Sequence, residues 1–374
     1  MFQQRYVYLL LGSLLLNACK QPAPDEPTPD LGASWQTHPN FLYSWKIQLN
    51  SFADSNRIML AGTTTIAMAP GAENPITDTS FVNYGGVAQN LGGLNVRPIL
   101  TSAFMANLTQ RAVIISPTTD PVGDYTKCYI PLTSIDSGFT EYASPNFYLG
   151  ESAVVNQRNQ LLIPYRRSRL PDGSLPSSNL SLAILSLNVS ALPEKAIRVN
   201  KIRLINIPNS TYIYAVNLCS AGDNFIVSTN EGTYLVTPDG AYRQSSQSTM
   251  AKLFIYNGVL HGVVSPSSYN NFKYQLATST NQGNTWVVIG DELPATYSRL
   301  LYKQVGKDLI AIYGSQLFLL RLTPNNLTTT ELDRNGLEGN QITSIAQFRN
   351  TVYVSTLSGI FTKPARTFLT PKKN

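Results

Sequence analysis

The stretch NFIVSTNEGTYLV, residues Asn224–Val236, contains an apolar strand, a turn with a glycine and a second apolar strand. The same hairpin pattern recurs in LIAIYGSQLFLL (Leu309–Leu320) and in VYVSTLSGIFTK (Val352–Lys363). A further apolar stretch precedes each of the three hairpins, at Tyr212–Leu218, Leu300–Val305 and Ile342–Phe348. Short apolar runs punctuated by Gly, Asn and Pro predict β-strands joined by tight turns.

Weaker versions of the first two strands of this pattern occur elsewhere in the chain, at Ser51–Gly62, Ser102–Ser116, Ser152–Arg166 and Lys252–Val264. Together with the three clear hairpins they recur at intervals of roughly 35 to 65 residues, a period that suits a unit of four short strands. A single unit of this kind cannot bury both of its faces, so the repeat predicts a closed ring of sheets. We therefore predict an all-β protein with the β-propeller fold and seven four-stranded blades, with six and eight blades as the alternatives.

The segment Ser279–Trp286, STNQGNTW, resembles the Asp-box S-x-D-x-G-x-T-W of sialidases and other propellers, with Asn281 in place of the aspartate. The resemblance implies that the segment forms the turn between the third and fourth strands of a blade, on the face opposite the ligand. It also implies a structural role for five residues, namely Ser279, Asn281, Gly283, Thr285 and Trp286. The resemblance supports the fold and identifies no chemistry.

The N-terminus predicts a membrane anchor made of lipid. Leu16-Asn17-Ala18-Cys19 resembles the lipobox of bacterial lipoproteins, and the apolar run Tyr6–Leu16 before it is too short to span a bilayer. The resemblance implies a signal peptide over residues 1–18 and acylation of Cys19. The Pro- and acid-rich stretch Lys20–Asp30 cannot bury enough surface to fold, so residues 19–40 are predicted to form a tether and residues 41–374 a single propeller domain.

The residue after the cysteine bears on the location of the protein. Lys20 is not the aspartate that retains many lipoproteins at the inner membrane, and Asp25 and Glu26 follow at a short distance, as in lipoproteins of the Bacteroidetes. We therefore expect an outer-membrane lipoprotein, on either its periplasmic or its cell-surface side.

The composition argues against several functional classes. The net charge of +6 is spread along the chain and clusters only at Arg166–Arg169, whereas nucleic-acid binders concentrate their Lys and Arg residues. Two histidines and the absence of a phosphate-binding loop predict no metal site and no cofactor. Cys128 and Cys219 lie in separate apolar strand patterns, which favours two buried thiols over a disulfide.

Long connections between the second and third strands predict where a ligand binds, because in propellers these connections lie on the same face as the connections between blades. The candidate connections are Met68–Ser80, Pro117–Lys127, Arg166–Asn179 and Ser265–Asn271. Their carboxylates, aromatic rings and guanidinium groups suit sugars or carboxylates, and the candidate ligand-binding residues are Asp124, Tyr125, Arg166, Arg167, Arg169, Asp172 and Tyr269.

The sequence favours a lipid-anchored binding or scaffold protein of the cell envelope that holds a glycan, peptide or protein partner on the loop-rich face of the propeller. One alternative is a sialidase-like glycoside hydrolase, with Tyr297 as the nucleophile and Arg299 and Arg321 at the substrate carboxylate, although no sialidase motif transfers to these positions. A second alternative is an assembly factor for a membrane complex.

Overall fold

The structure is a computed structural model. The residues that it describes are 34–41, 47–62, 65–70, 82–85, 97–118, 128–143, 152–168, 173, 180–189, 197–208, 216–266, 273–323 and 326–373.

The described residues form seven antiparallel sheets, six with four strands and one with five. β1 is Gln36–Thr37. The first sheet contains β2 (Gln48–Ala53), β3 (Arg57–Gly62), β4 (Thr65–Pro70) and β5 (Val82–Gly85). The second contains β6 (Ile99–Leu100), β7 (Phe104–Leu108), β8 (Ala112–Pro117) and β9 (Cys128–Pro131). The third contains β10 (Phe139–Tyr142), β11 (Val154–Val155), β12 (Gln160–Arg167), β13 (Leu180–Asn188) and β14 (Arg198–Ile207).

The other four sheets follow in the same manner along the chain. The fourth contains β15 (Asn217–Ala221), β16 (Asn224–Thr229), β17 (Gly232–Val236) and β18 (Tyr242–Ser246). The fifth contains β19 (Met250–Tyr256), β20 (Val259–Val264), β21 (Tyr274–Ser279) and β22 (Val287–Leu293). The sixth contains β23 (Leu301–Val305), β24 (Asp308–Tyr313), β25 (Gln316–Thr323) and β26 (Asn326–Glu331), and the seventh contains β27 (Ile342–Phe348), β28 (Thr351–Thr356) and β29 (Gly359–Pro364) together with β1.

Helical segments are short in the part of the chain that the structure describes. The α-helices are α1 (Leu132–Ile135) and α2 (Ala365–Phe368), and the 3-10 helices are Pro39–Phe41 and Ala295–Arg299. None of these helices has the length or the apolar character needed to cross a membrane. The prediction of an all-β propeller is confirmed, and the seven sheets agree with the predicted number of units.

Side-chain alternation in the central strands explains why the sheets stack face to face around a ring. In β13, Ala183 and Leu185 pack in the apolar cluster shared with the second sheet, whereas Leu182 and Ile184 pack in the cluster shared with the fourth. Successive strand residues point to opposite faces, and burying a leucine or isoleucine stabilises a fold by roughly 1.5–3 kcal/mol. A sheet that is apolar on both faces therefore needs a neighbour on each side.

The ring closes between the seventh and first sheets. Phe41 and Ile58 lie in one buried cluster with Phe348 and Tyr353, so the first and last sheets share a core. β1 pairs with β29 and supplies the outer strand of the last sheet. The buried indole of Trp35 lies immediately before β1 and stacks edge-on against Phe368. Residues 35–40, which we assigned to the tether from their composition, therefore belong structurally to the propeller.

The two faces of the ring are defined by the connections. The upper face carries the connection from each sheet to the next and the turn between the second and third strands of each sheet. The lower face carries the turns between the first and second strands and between the third and fourth. Lower-face turns of adjacent sheets contact one another, as Gln157 N donates to Gly222 O at 3.1 Å.

Two of the four long connections were assigned to the wrong face. Residues 65–70 form β4, so the connection predicted at Met68–Ser80 follows the third strand of the first sheet. The connection Pro117–Lys127 follows β8, which is the third strand of the second sheet because the two-residue β6 is its first. Thr118 Oγ1 donates to Ser102 O at 2.9 Å, beside the turn between β6 and β7, which places the start of this connection on the lower face.

The two cysteines in the described residues form no disulfide, and both are half-buried. Cys128 lies on the outer strand β9 and Cys219 on the inner strand β15. The prediction that these cysteines do not form a disulfide is confirmed, although neither side chain is fully buried. Burial raises the pKa of the Cys128 thiol.

Candidate binding surface

Residues 136–141 and 166–168 form the upper end of the third sheet, which we call the third-sheet rim. Two of the predicted ligand residues, Arg166 and Arg167, lie there. Arg166 and Arg167 end strand β12, so their side chains leave on opposite faces of the sheet. Ser168 N donates to Gly138 O at 2.8 Å, which holds the end of β12 against the segment leading into β10.

Arg167 is held by a buried ion pair. Its Nε lies 2.9 Å from Asp136 Oδ2, and its Nη2 donates to Asp136 Oδ1 at 3.1 Å. Both side chains are more than nine-tenths buried. Gly138 N donates to the same carboxylate at 2.8 Å, and the hydroxyl of Tyr165 donates to Oδ2. A carboxylate with this many donors holds its neighbours in place, so Arg167 has a structural role and does not offer a free guanidinium to a ligand.

Arg166 is the more accessible of the two arginines. Its Nε lies 3.3 Å from Glu141 Oε1, directly opposite on β10, and the side chains are 25% and 64% exposed. An exposed pair of this kind contributes about 0–1 kcal/mol, so exchanging its partner for a ligand costs little. Arg166 and Glu141 together offer a planar cation and an acceptor to an incoming carboxylate, amide or sugar hydroxyl.

The other predicted ligand residues lie outside the described residues, namely Asp124, Tyr125, Arg169, Asp172 and Tyr269. Arg169 and Asp172 belong to the connection between β12 and β13, and Tyr269 to the connection between β20 and β21. Both connections join the second to the third strand of their sheet in the sequence, and the prediction that these residues bind a ligand stays a prediction. Asp124 and Tyr125 belong in the sequence to the connection between β8 and β9, of which the described residue Thr118 lies on the lower face.

A buried arginine that the sequence did not identify as a binding residue lies among the inner strands of three sheets. Arg97 precedes β6, and its Nη2 donates to Asn50 Oδ1 of β2 at 2.7 Å and to Ser344 Oγ of β27 at 3.4 Å. Asn50 Nδ2 donates to Pro98 O at 2.8 Å, which fixes the entry into β6. This cluster joins the seventh, first and second sheets. The feature of the sequence that could have identified this buried arginine is its position next to Pro98, just before the two-residue strand β6.

The residues considered for sialidase chemistry occupy different environments. Tyr297 is buried in the apolar cluster between the fifth and sixth sheets, and its carbonyl accepts from the hydroxyl of Tyr302 at 2.8 Å. Arg299 is exposed at the end of the same 3-10 helix, whereas Arg321 is exposed on β25, paired with Thr328. The side chain of Tyr297 therefore packs in the apolar core between the fifth and sixth sheets.

The segment 279–286 forms the turn between β21 and β22, the third and fourth strands of the fifth sheet, on the lower face. Asn281 Oδ1 accepts from Thr285 N at 3.0 Å, and Gly283 N donates to Ser279 Oγ at 2.8 Å. Asn281 Nδ2 also donates to Thr285 Oγ1 at 2.9 Å, a bond that a carboxylate would make with the donor reversed. Trp286 Nε1 donates to Ser245 Oγ of the fourth sheet at 3.2 Å, so the indole spans two sheets.

His261 is the histidine buried within the sheets. Its ring stacks on Phe254 with centroids 5.2 Å apart, and its Nδ1 has no hydrogen-bond partner among the described residues. Burial lowers the pKa of His261 to about 4, so the ring is neutral near pH 7. Over the described ranges, no group of three or more His, Cys, Asp and Glu side chains is placed to hold a metal ion.

No family model and no curated protein matches this sequence. Among solved structures, it is similar to a catalytically inactive variant of virginiamycin B lyase from Staphylococcus aureus with quinupristin, at 11% identity and a TM-score of 0.51, over 88% of this chain and 97% of the lyase. It is also similar to the WD40 domain of Neurospora crassa Pan2, at 10% identity and a TM-score of 0.49, over 91% and 98% of the two chains. A third similar structure is YCF48 bound to D1 peptide, at 12% identity and a TM-score of 0.47, over 88% and 96%. The likeness to the lyase shows the propeller fold alone.

Proposed function

We propose that this protein is a lipid-anchored binding module of the cell envelope that holds a glycan, peptide or protein partner on the upper face of its propeller. The anchor is Cys19, and residues after it tether the ring to the outer membrane. The lipobox-like segment and the Pro- and acid-rich stretch support this part of the proposal. The ring begins at Trp35, so the tether leads directly into its closing strand.

The observation that carries the binding role is the contrast between Arg166 and Arg167 at the third-sheet rim. Arg167 and Asp136 are buried and bound to each other, which makes the rim rigid. Arg166 and Glu141 lie next to this buried pair and form a weak, solvent-accessible ion pair with each other. A fixed base with exchangeable polar groups above it suits recognition of a partner, because little conformational entropy is lost when the partner binds.

The binding role is tested with the soluble chain begun at Pro22, screened on a glycan array and against detergent-solubilised envelope proteins. We expect binding that Arg166→Ala and Glu141→Lys each weaken. The matched control is Arg158→Ala, because Arg158 forms a comparable exposed pair with Asp223 at 2.7 Å on the lower face. Equal loss in the Arg158 and Arg166 variants would contradict a site at the third-sheet rim.

The same preparation tests the hydrolase alternative with 4-methylumbelliferyl glycosides, including the sialoside. Turnover that Tyr297→Phe abolishes would overturn the binding role in favour of glycoside hydrolysis. The anchor is tested separately by fractionating cells that express Cys19→Ser. We expect the variant to leave the membrane fraction, and retention there would contradict lipid anchoring through Cys19.

A further inference from the structure

The outer strand of the fifth sheet is distorted where it approaches the sixth sheet. Leu276 of β21 pairs with Ile289 of β22, but Tyr274 pairs with Leu293, so the three residues 290–292 stand opposite a single residue. Gly290 within this bulge has a φ of +73°, a conformation that favours glycine. Bulges re-aim side chains at the edge of a sheet, and residues 290–292 of this one line a groove.

The bulge opens a groove between the outer strands of the fifth and sixth sheets, which we call the 5–6 groove. Its volume is about 90 Å³, and its apolar lining includes Leu276, Ile289, Tyr297 and Leu327. Sites for whole small molecules have volumes of roughly 300–1,000 Å³, so this groove is too small for such a ligand and suits a single side chain. Pockets of one-residue size typically receive the anchor side chain of a protein partner.

The rim of the 5–6 groove is acidic, although the protein as a whole carries a net charge of +6. Glu292 forms an exposed ion pair with Lys273 at 2.6 Å. Asp291 is exposed and makes no ion pair within the described part of the chain. The charge next to the groove therefore favours a cationic partner group over an anionic one.

The strand that leads to the groove is also open to pairing. β22 ends the order of strands in the fifth sheet, so its outer edge is unpaired among the described residues. Val287 and Val288 on this strand are 61% and 49% exposed. Exposed apolar residues on an edge strand are a liability unless another segment covers them.

We propose that the 5–6 groove and the edge of β22 form a second docking site, distinct from the third-sheet rim. Its occupant is an extended segment of a protein partner that carries a large apolar residue followed closely by Lys or Arg. The segment lies along Val287 and Val288, its apolar side chain fills the groove, and its cation faces Asp291. This is β-strand addition with one anchor pocket.

The test measures the binding of synthetic twelve-residue peptides to the soluble chain by fluorescence anisotropy. The peptides share a Thr/Val background and carry Leu or Phe at a central position with Lys two residues later. We expect these peptides to bind, and replacing the Leu or Phe by Ser, or the Lys by Glu, to weaken binding by about tenfold or more. Equal binding of all peptides, or binding of none, would overturn the proposal.

Variants of the protein separate the groove from other surfaces. Leu327→Phe fills the groove while keeping it apolar, and Asp291→Asn removes the unpaired charge; each is expected to lower affinity about tenfold. Asp239→Asn, an exposed acid of the fourth sheet, is the matched control and should bind as the wild type does. Arg158→Ala, which lies on neither surface, should leave peptide binding unchanged. Leu327→Phe and Asp291→Asn leave residues 136–141 and 166–168 unchanged, so loss of peptide binding with retained binding at the third-sheet rim distinguishes failure of one site from failure of the other. Loss of binding in the Asp239 variant alone would also contradict the groove.

Discussion

Two interfaces between neighbouring sheets each contain a stacked pair of a phenylalanine and a tyrosine, but the tyrosine hydroxyl donates to a different kind of acceptor in each. On the face of the third sheet that packs against the second, Phe139 of β10 stacks on Tyr165 of β12 with centroids 4.4 Å apart. Between the fifth and sixth, Phe254 stacks on Tyr302 at 4.2 Å. Tyr165 donates to the buried carboxylate of Asp136, which also holds Arg167, whereas Tyr302 donates to a backbone carbonyl and lies near the neutral His261.

The difference shows that contacts between the repeats of one fold can be stabilised either by a buried ion pair or by apolar packing. A buried ion pair depends on both of its partners, because removing one leaves the other charged and without compensation. An apolar interface has no such requirement, but it is sensitive to any event that introduces a charge. Arg167 and Asp136 therefore fix the geometry of the third-sheet rim, and the fifth–sixth interface contains a buried histidine whose protonation would introduce a charge.

The largest effect is expected at the charged interface. Arg167→Ala leaves the buried Asp136 carboxylate without its cation and should lower the free energy of unfolding by about 3–5 kcal/mol. Arg166→Ala, at the adjacent exposed position, should change it by less than about 1 kcal/mol. Urea denaturation of both variants measures the difference. Equal losses in the two variants would remove the structural distinction between these arginines.

The second prediction concerns the apolar interface under acid. The pKa of His261 is about 4 in the folded protein, below its ordinary value of 6.5, so the unfolded chain binds a proton first as pH falls. The contribution of the neutral histidine is therefore complete above pH 6.5 and is lost as pH falls from 6.5 to 4, by roughly 3 kcal/mol in total.

The control for this pH dependence is His261→Phe, which keeps a ring against Phe254 and cannot be protonated. The difference in unfolding free energy between wild type and variant, measured by urea denaturation from pH 7.5 to 4, isolates the histidine from the carboxylates that titrate in the same range. A difference that stays constant over this range would show that His261 is not neutral and buried.

The third prediction compares the two tyrosine hydroxyls. Tyr165→Phe removes a donor to a carboxylate and should lower stability by about 1.5–3 kcal/mol, whereas Tyr302→Phe removes a donor to a carbonyl and should cost about 1 kcal/mol. Both substitutions keep the stacked ring, so the thermal midpoints of the pair report the hydroxyls alone. A reversed order would mean that the Asp136 network contributes less than its geometry implies.

The smallest effect is expected at the lower-face turn, which fastens the fifth sheet to the fourth. Asn281→Ala removes the acceptor for Thr285 N and should lower stability by about 1 kcal/mol. Asn281→Asp keeps that acceptor and should be close to neutral. Chemical denaturation of the two variants compares them, and equal destabilisation would show that the amide, and not the acceptor oxygen, supports the turn.

The sequence predicted the propeller because the fourth, sixth and seventh sheets keep short, regular turns between their second and third strands. It identified the hairpins β16–β17, β24–β25 and β28–β29, in which both strands are apolar and a glycine lies in the turn. It misplaced the connections of the first two sheets, because β6 is only two residues long and β4 follows a very short turn. Alternation of apolar residues reveals a hairpin but not which pair of the four strands forms it.

The candidate site was predictable only in part. The cluster Arg166–Arg169 begins at the end of β12, and Arg166 and Arg167 lie within the described residues. Arg167 is buried and Arg166 half-buried because Arg167 pairs with Asp136, which lies in the connection from the preceding sheet, distant in sequence. Likewise, Arg97 joins residues of β2 and β27 that only ring closure brings together. Long-range partners of this kind leave no periodic signal in one sequence.

The strand that closes the ring also determines when the ring can close during folding. Thr362 and Gln36 are 326 positions apart in sequence, yet Thr362 Oγ1 donates to Gln36 O. A chain emerging from a ribosome or a secretion channel therefore holds β1 without its partner until almost the whole polypeptide has been delivered. During that interval Trp35 has neither Asp333 nor Phe368 to contact. Premature termination before β29 would thus leave β1 without its partner and the last sheet without its third strand, so the ring would stay open.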